Sequence, residues 1–103
     1  MQQNVIKALK TDHIKGPNYY RYLGVERLSP KKNCVRAYKR VKKSLTISHN
    51  NSKDFPDEEF ERMMENLDEA FMMIMEHKEE IDTEIHDRVI NRINNVKLKR
   101  YFK

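Results

Sequence analysis

Five large apolar residues, Phe60, Met64, Leu67, Phe71 and Ile74, recur at steps of four, three, four and three. Such spacing gathers side chains on one side of an α-helix, so this stretch predicts an amphipathic helix that must bury one face. The spacing is also that of the seam between antiparallel helices, and the chain supplies a second stripe to meet it. Val35, Tyr38, Val41 and Leu45 step by three, three and four. Two glycines and three prolines in 103 residues, with few clean period-two runs, argue against a β-sandwich or barrel. The expected fold is all-α: an antiparallel helix pair with flanking shorter helices, in one domain with a modest core.

Local signals set the expected boundaries. A first helix over Val5 to Ile14 places Val5, Ile6, Leu9 and His13 on one side, and Gly16-Pro17 ends it. Asn18 is expected to cap a short turn holding Tyr19, Tyr20, Tyr22 and Leu23, closed by Gly24. Ser29 as cap and Pro30 as first helical residue start the next helix, which runs to about Ser48. His49 to Phe55 reads as a polar loop. Asp54 then caps a third helix that tolerates Pro56 in its first turn and opens with Asp57, Glu58 and Glu59. A fourth helix from Glu79 carries Ile81, Ile85, Val89, Ile93 and Val96 and ends in a basic, fraying Lys97 to Lys103. The expected core is Tyr20, Leu23, Val35, Tyr38, Val41, Leu45, Phe60, Met64, Leu67, Phe71 and Ile74.

Charge is segregated far beyond what the net +5 suggests. Met1 to Lys53 holds 13 Lys/Arg against 2 Asp/Glu, Asp54 to Asp87 holds 2 against 14, and Arg88 to Lys103 holds 6 against none. Segments so opposed can attract one another within one fold. On the second helix, Lys32, Arg36, Lys39 and Lys43 form a basic stripe, with Arg40 beside it. One reading is a solvated face balanced by the acidic helix. The other is a surface that docks an acidic partner, with charge steering the encounter. The crowding of cations on one helix favours docking.

The order of these features resembles the J domain of DnaJ-type proteins. Asn18-Tyr19-Tyr20-Arg21-Tyr22-Leu23-Gly24-Val25 is similar to the family opening Asp-Tyr-Tyr-x-x-Leu-Gly-Val, and Ala37-Tyr38-Lys39-Arg40 to Ala-Tyr-Arg-Lys on the family's basic helix. Leu67-Asp68-Glu69-Ala70-Phe71 looks like Ile-Asn-Glu-Ala-Tyr, with Ile74 at the usual Leu. The resemblance implies a J-like domain over 18–87, an extension helix over 1–17 and a basic helix or tail over 88–103. It also implies that Lys32, Arg36, Lys39, Arg40 and Lys43 dock a protein partner, a DnaK-class chaperone or another acidic surface. The family's His-Pro-Asp, which stimulates the chaperone ATPase, is missing: its position falls on Thr46, Ile47 and Ser48, or, with an insertion, on His49, Asn50 and Asn51. The expected function is therefore a binding module that does not stimulate the ATPase, with a degenerate co-chaperone that still recruits the chaperone, through His49, as an alternative.

Enzyme chemistry finds no foothold in the sequence. There is no Gly-rich phosphate loop or nucleophile elbow, and no metal-ligand spacing links His13, His49, His77, His86 and Cys34. No cofactor or metal is expected. Cys34 lies beside the apolar stripe and reads as core. Met63, Met64, Met72, Met73 and Met75 read mostly as core filler. A nucleic-acid binder is the main rival, since the N-terminal cations and the Lys97, Lys99, Arg100, Tyr101, Phe102, Lys103 tail could meet phosphates and bases; the acidic middle and the lack of a reading motif oppose it. With no membrane-length apolar run, no signal-peptide core and one cysteine, a soluble cytoplasmic or nuclear protein is expected.

Overall fold

The fold is given by a computed structural model that describes residues 2–51 and 56–101, with side chains for 5–51 and 56–93. Three α-helices and one 3₁₀ turn make it up: α1 is Gln2–Leu9, the turn is Tyr19–Tyr22, α2 is Lys31–Asn51 and α3 is Asp57–Tyr101. No strand occurs among the described residues, and none of the helices they form is long and apolar enough to cross a membrane.

α2 starts one residue later than its sequence signal, and by other chemistry. The Pro30 carbonyl accepts the Asn33 and Cys34 amides at 3.0 and 3.1 Å. The Ser29 hydroxyl does not cap; it donates to the Glu26 carbonyl at 2.6 Å and tightens the preceding turn. α3 begins similarly, with the Pro56 carbonyl accepting the Phe60 amide at 3.0 Å and Asp57, Glu58 and Glu59 in the first turn, where the helix dipole favours acids. The expected Asp54 cap lies outside the described residues.

α2 and α3 run antiparallel. Tyr38 stacks on Phe71 with ring centroids 4.1 Å apart, while His49, farther along α2, stacks on Phe60, earlier in α3, also at 4.1 Å. The core seam is shifted from the expected one. Cys34, Ala37, Val41 and Leu45 face Met63, Leu67, Ala70 and Ile74, all buried. Of the expected core, Tyr20, Leu23, Val41, Leu45, Leu67 and Ile74 are buried, whereas Val35, Tyr38, Phe60, Met64 and Phe71 are only half-buried. Small side chains at the seam (Cys34, Ala37, Ala70) allow close approach of two helices, which leaves the rings of Tyr38, Phe60 and Phe71 to flank it. Among the methionines Met63 is fully buried, Met64, Met73 and Met75 pack on the core, and Met72 is exposed.

α1 contributes Val5 and Leu9 to the same core. It ends at Leu9 rather than Ile14, which leaves His13 exposed. The cause is Asn66, a buried polar residue of α3 whose Nδ2 donates to the carbonyls of Leu9 at 2.9 Å and Thr11 at 2.7 Å. Ion pairs Lys10–Glu59 and Arg62–Asp12, at 3.2 and 3.1 Å, hold the corner from outside. In the following turn Asn18 makes no side-chain cap, contrary to its sequence signal. Gly24 does close the turn, at φ +71, and a Cβ there would lie 2.6 Å from Val5 Cγ2.

The expected third and fourth helices are one helix, α3, bent at His77 (φ −128, ψ 28). Neither Pro nor Gly marks the bend. Beyond it Ile81 and Ile85 remain buried against the core, whereas Val89 and Ile93 are exposed.

Candidate interaction surface

Helical periodicity of 100° per residue fixes what α2 shows to solvent. With Cys34, Ala37, Val41 and Leu45 facing the core, Lys32, Arg36, Lys39, Arg40 and Lys43 fall within about 100° of arc on the opposite side. All five are exposed. The basic stripe thus lies across the helix from the seam rather than beside it.

The acidic helix does not neutralise this face. Asp57 pairs with His49 at 2.6 Å, Glu59 with Lys10, Asp82 with Lys78 and Glu84 with Arg88. Asp68 accepts a hydrogen bond from the Tyr38 hydroxyl at 2.5 Å, and Lys42 donates to the same hydroxyl at 3.3 Å. The hydrogen bond to Asp68 raises the Tyr38 pKa, with Lys42 opposing it, and the hydrogen bond to Tyr38 is the largest cause raising the Lys42 pKa. Among the described residues none of the five stripe cations forms an ion pair. Crossing a neighbouring acidic helix without pairing to it, they present concentrated positive charge to solvent.

The residues at which the resemblance places the signature are not a loop. Thr46, Ile47, Ser48, His49, Asn50 and Asn51 form the last turns of α2. Thr46 bonds back to the Lys42 carbonyl at 2.8 Å, and His49 is pinned to α3 by its stack on Phe60 and its contact with Asp57. The aromatic stack is the stronger anchor, since the Asp57 side chain is 87% exposed and such a pair gives only about 0–1 kcal/mol. Ile47, Asn50 and Asn51 point to solvent.

The 3₁₀ turn is locked to α3 below the bend. The fully buried Tyr20 donates its hydroxyl proton to Asp82, and Lys78 donates to Tyr20 at 2.9 Å and to Asp82 at 2.7 Å. Burial, with the Asp82 hydrogen bond second, pushes the Tyr20 pKa from 10.0 up to about 12. Burial pushes Lys78 down, but its bonds to Asp82 and Tyr20 outweigh this and leave it raised. Burial also raises the Cys34 thiol, so this buried cysteine stays protonated and serves as packing. Sequence reasoning picked Tyr20 as core but missed Lys78, Asp82 and Asn66, since no local signal joins residues so far apart in the chain.

A raised acid pKa in the fold means stability that is complete below the unfolded value and lost as pH rises through the folded one. The melting midpoint is therefore expected to fall between pH 10 and about 12. Lys78, also raised, acts in the same direction. Tyr20→Phe, which cannot ionise, should flatten that decline; an equal decline in both proteins would remove Tyr20 as its source.

The chain matches no protein-family model, and no curated protein or solved structure is significantly similar to it.

Proposed function

We propose that this chain is a divergent J-like helical module that docks an acidic protein surface through the outward face of α2, without stimulating a DnaK-class ATPase. The observation that carries the reading is the set of five exposed cations, Lys32, Arg36, Lys39, Arg40 and Lys43, on one face of α2, none of which forms an ion pair among the described residues. Supporting it are the antiparallel pairing of a basic with an acidic helix and the order of the Tyr20, Ala37-Tyr38 and Leu67 to Phe71 motifs along the chain. The helical segment Thr46 to Asn51, which lacks His-Pro-Asp, supports the part of the reading that has no ATPase stimulation. The partner class is a DnaK-class chaperone or another protein with an acidic face, in the cytoplasm or nucleus, where the single buried Cys34 stays reduced.

The test is a titration of a DnaK-class chaperone with wild type and with Arg36→Glu plus Lys39→Glu, beside single-turnover ATP hydrolysis on the same pair. Reversing two exposed charges is expected to weaken binding about tenfold or more, with helicity unchanged and hydrolysis at its basal rate throughout. Stimulated hydrolysis would make the chain a working co-chaperone. Binding unaffected by the charge reversal would remove the α2 face from the reading. Preferential, steeply salt-dependent binding of plain duplex would favour a nucleic-acid partner instead.

A further inference from the structure

A second basic feature lies off α2. Ile85, Arg88, Val89 and Arg92 stand at i, i+3, i+4 and i+7 on α3, so they share one face of that helix. Together with Arg27, from the turn before α2, they line a cleft of about 190 Å³. Three guanidinium side chains therefore border a floor made by Ile85 and Val89. Arg88 spends part of its charge on Glu84 at 3.2 Å. Arg27 and Arg92 form no ion pair among the described residues. Arg27 sits beside Leu28, which holds a left-handed φ of 67. That conformation costs a non-glycine residue about 1–2 kcal/mol, and strain of this kind is concentrated at binding sites.

A ligand that suits both features must carry negative charge for the arginines and an apolar group for the floor. A phosphodiester chain fits poorly, since it offers no aliphatic group to the floor and no aromatic ring lines the cleft among the described residues for base stacking.

We propose that this cleft binds a short acidic peptide segment of a partner protein. Carboxylates on the segment pair with Arg27 and Arg92, where the guanidinium fork allows two parallel hydrogen bonds. One apolar side chain of the segment lies on Ile85 and Val89. The site shares no residue with the α2 face, so it stands or falls separately from the reading above.

Fluorescence anisotropy with a labelled twelve-residue peptide of interspersed Glu and Leu tests the proposal, against a Glu/Gly peptide of equal charge and an oligonucleotide of equal charge. Wild type is expected to bind the Glu/Leu peptide most tightly. Arg27→Glu plus Arg92→Glu should weaken it about tenfold or more, and Val89→Asp should weaken it as well. Arg36→Glu plus Lys39→Glu should leave it unchanged. All these positions are exposed, so ellipticity at 222 nm should not change among the variants. No binding of the Glu/Leu peptide, equal binding of either control ligand, or full binding by the Arg27/Arg92 variant would each overturn the assignment.

Discussion

Leu67→Ala is expected to destabilise the protein by about 2–5 kcal/mol, the range for emptying a fully packed leucine site. Leu67 is 0% exposed and lies on the α3 face that meets α2. Removing it leaves a cavity that Met63, Ala70 and Ile74, themselves fully buried, have little freedom to fill. The melting midpoint should drop by roughly 10 °C or more, at about 4–8 °C per kcal/mol for a domain of this size. Met72→Ala is the control: the side chain is 53% exposed, and its loss should stay within about 0.5 kcal/mol. Urea unfolding with unchanged slope checks both. A Leu67 effect below 1 kcal/mol would mean that Leu67 is not packed between α2 and α3.

Asn66→Ala is expected to act in one place. Its Nδ2 is the donor for two carbonyls, Leu9 and Thr11, and leaving a buried polar group unsatisfied costs about 1–3 kcal/mol. Asn66→Asp should be worse, because it removes the donors and sets a carboxylate against the same two carbonyls. The loss should fall first on α1, which no other described side-chain hydrogen bond from α3 holds. Amide hydrogen exchange should therefore accelerate at residues 5–9 while α2 and the first half of α3 keep their protection. Uniform acceleration along the chain would mean that Asn66 supports the whole core rather than the docking of α1.

Whatever repeats along a single helix was legible in the sequence. The stripe Phe60, Met64, Leu67, Phe71, Ile74 located the helix and its general face, and Leu67 and Ile74 are shared with the observed seam. The centre was misplaced by roughly one residue because weight went to large side chains, while the closest contact uses Cys34, Ala37 and Ala70. Large rings mark where a helix has room beside its neighbour; small residues mark where it has none. The Lys32 to Lys43 stripe was legible for the same periodic reason, yet its lack of ion pairs depended on where Asp57, Glu59, Asp82 and Glu84 turned. Contacts between distant segments were not legible. Asn66 is polar on an otherwise apolar face, Asp82 reaches Tyr20 across 62 positions, and the bend at His77 carries no Pro or Gly. The end of α2 was missed because Asn and Ser normally favour loops. Here the stack of His49 on Phe60 overrides that tendency.

The length of α3 governs how the particle moves through a fluid. Its extents are 58 × 28 × 21 Å and its radius of gyration is 16.6 Å, against roughly 13 Å for a spherical chain of similar length. Such a rod meets more drag than its mass suggests and leaves a size-exclusion column early, so elution position alone would mimic a dimer. Rotation should be anisotropic too: amide vectors along α3 lie near the long axis and should relax differently from those in the 3₁₀ turn. Assembly state is thus to be read from scattered light or sedimentation equilibrium, which weigh the particle regardless of its shape.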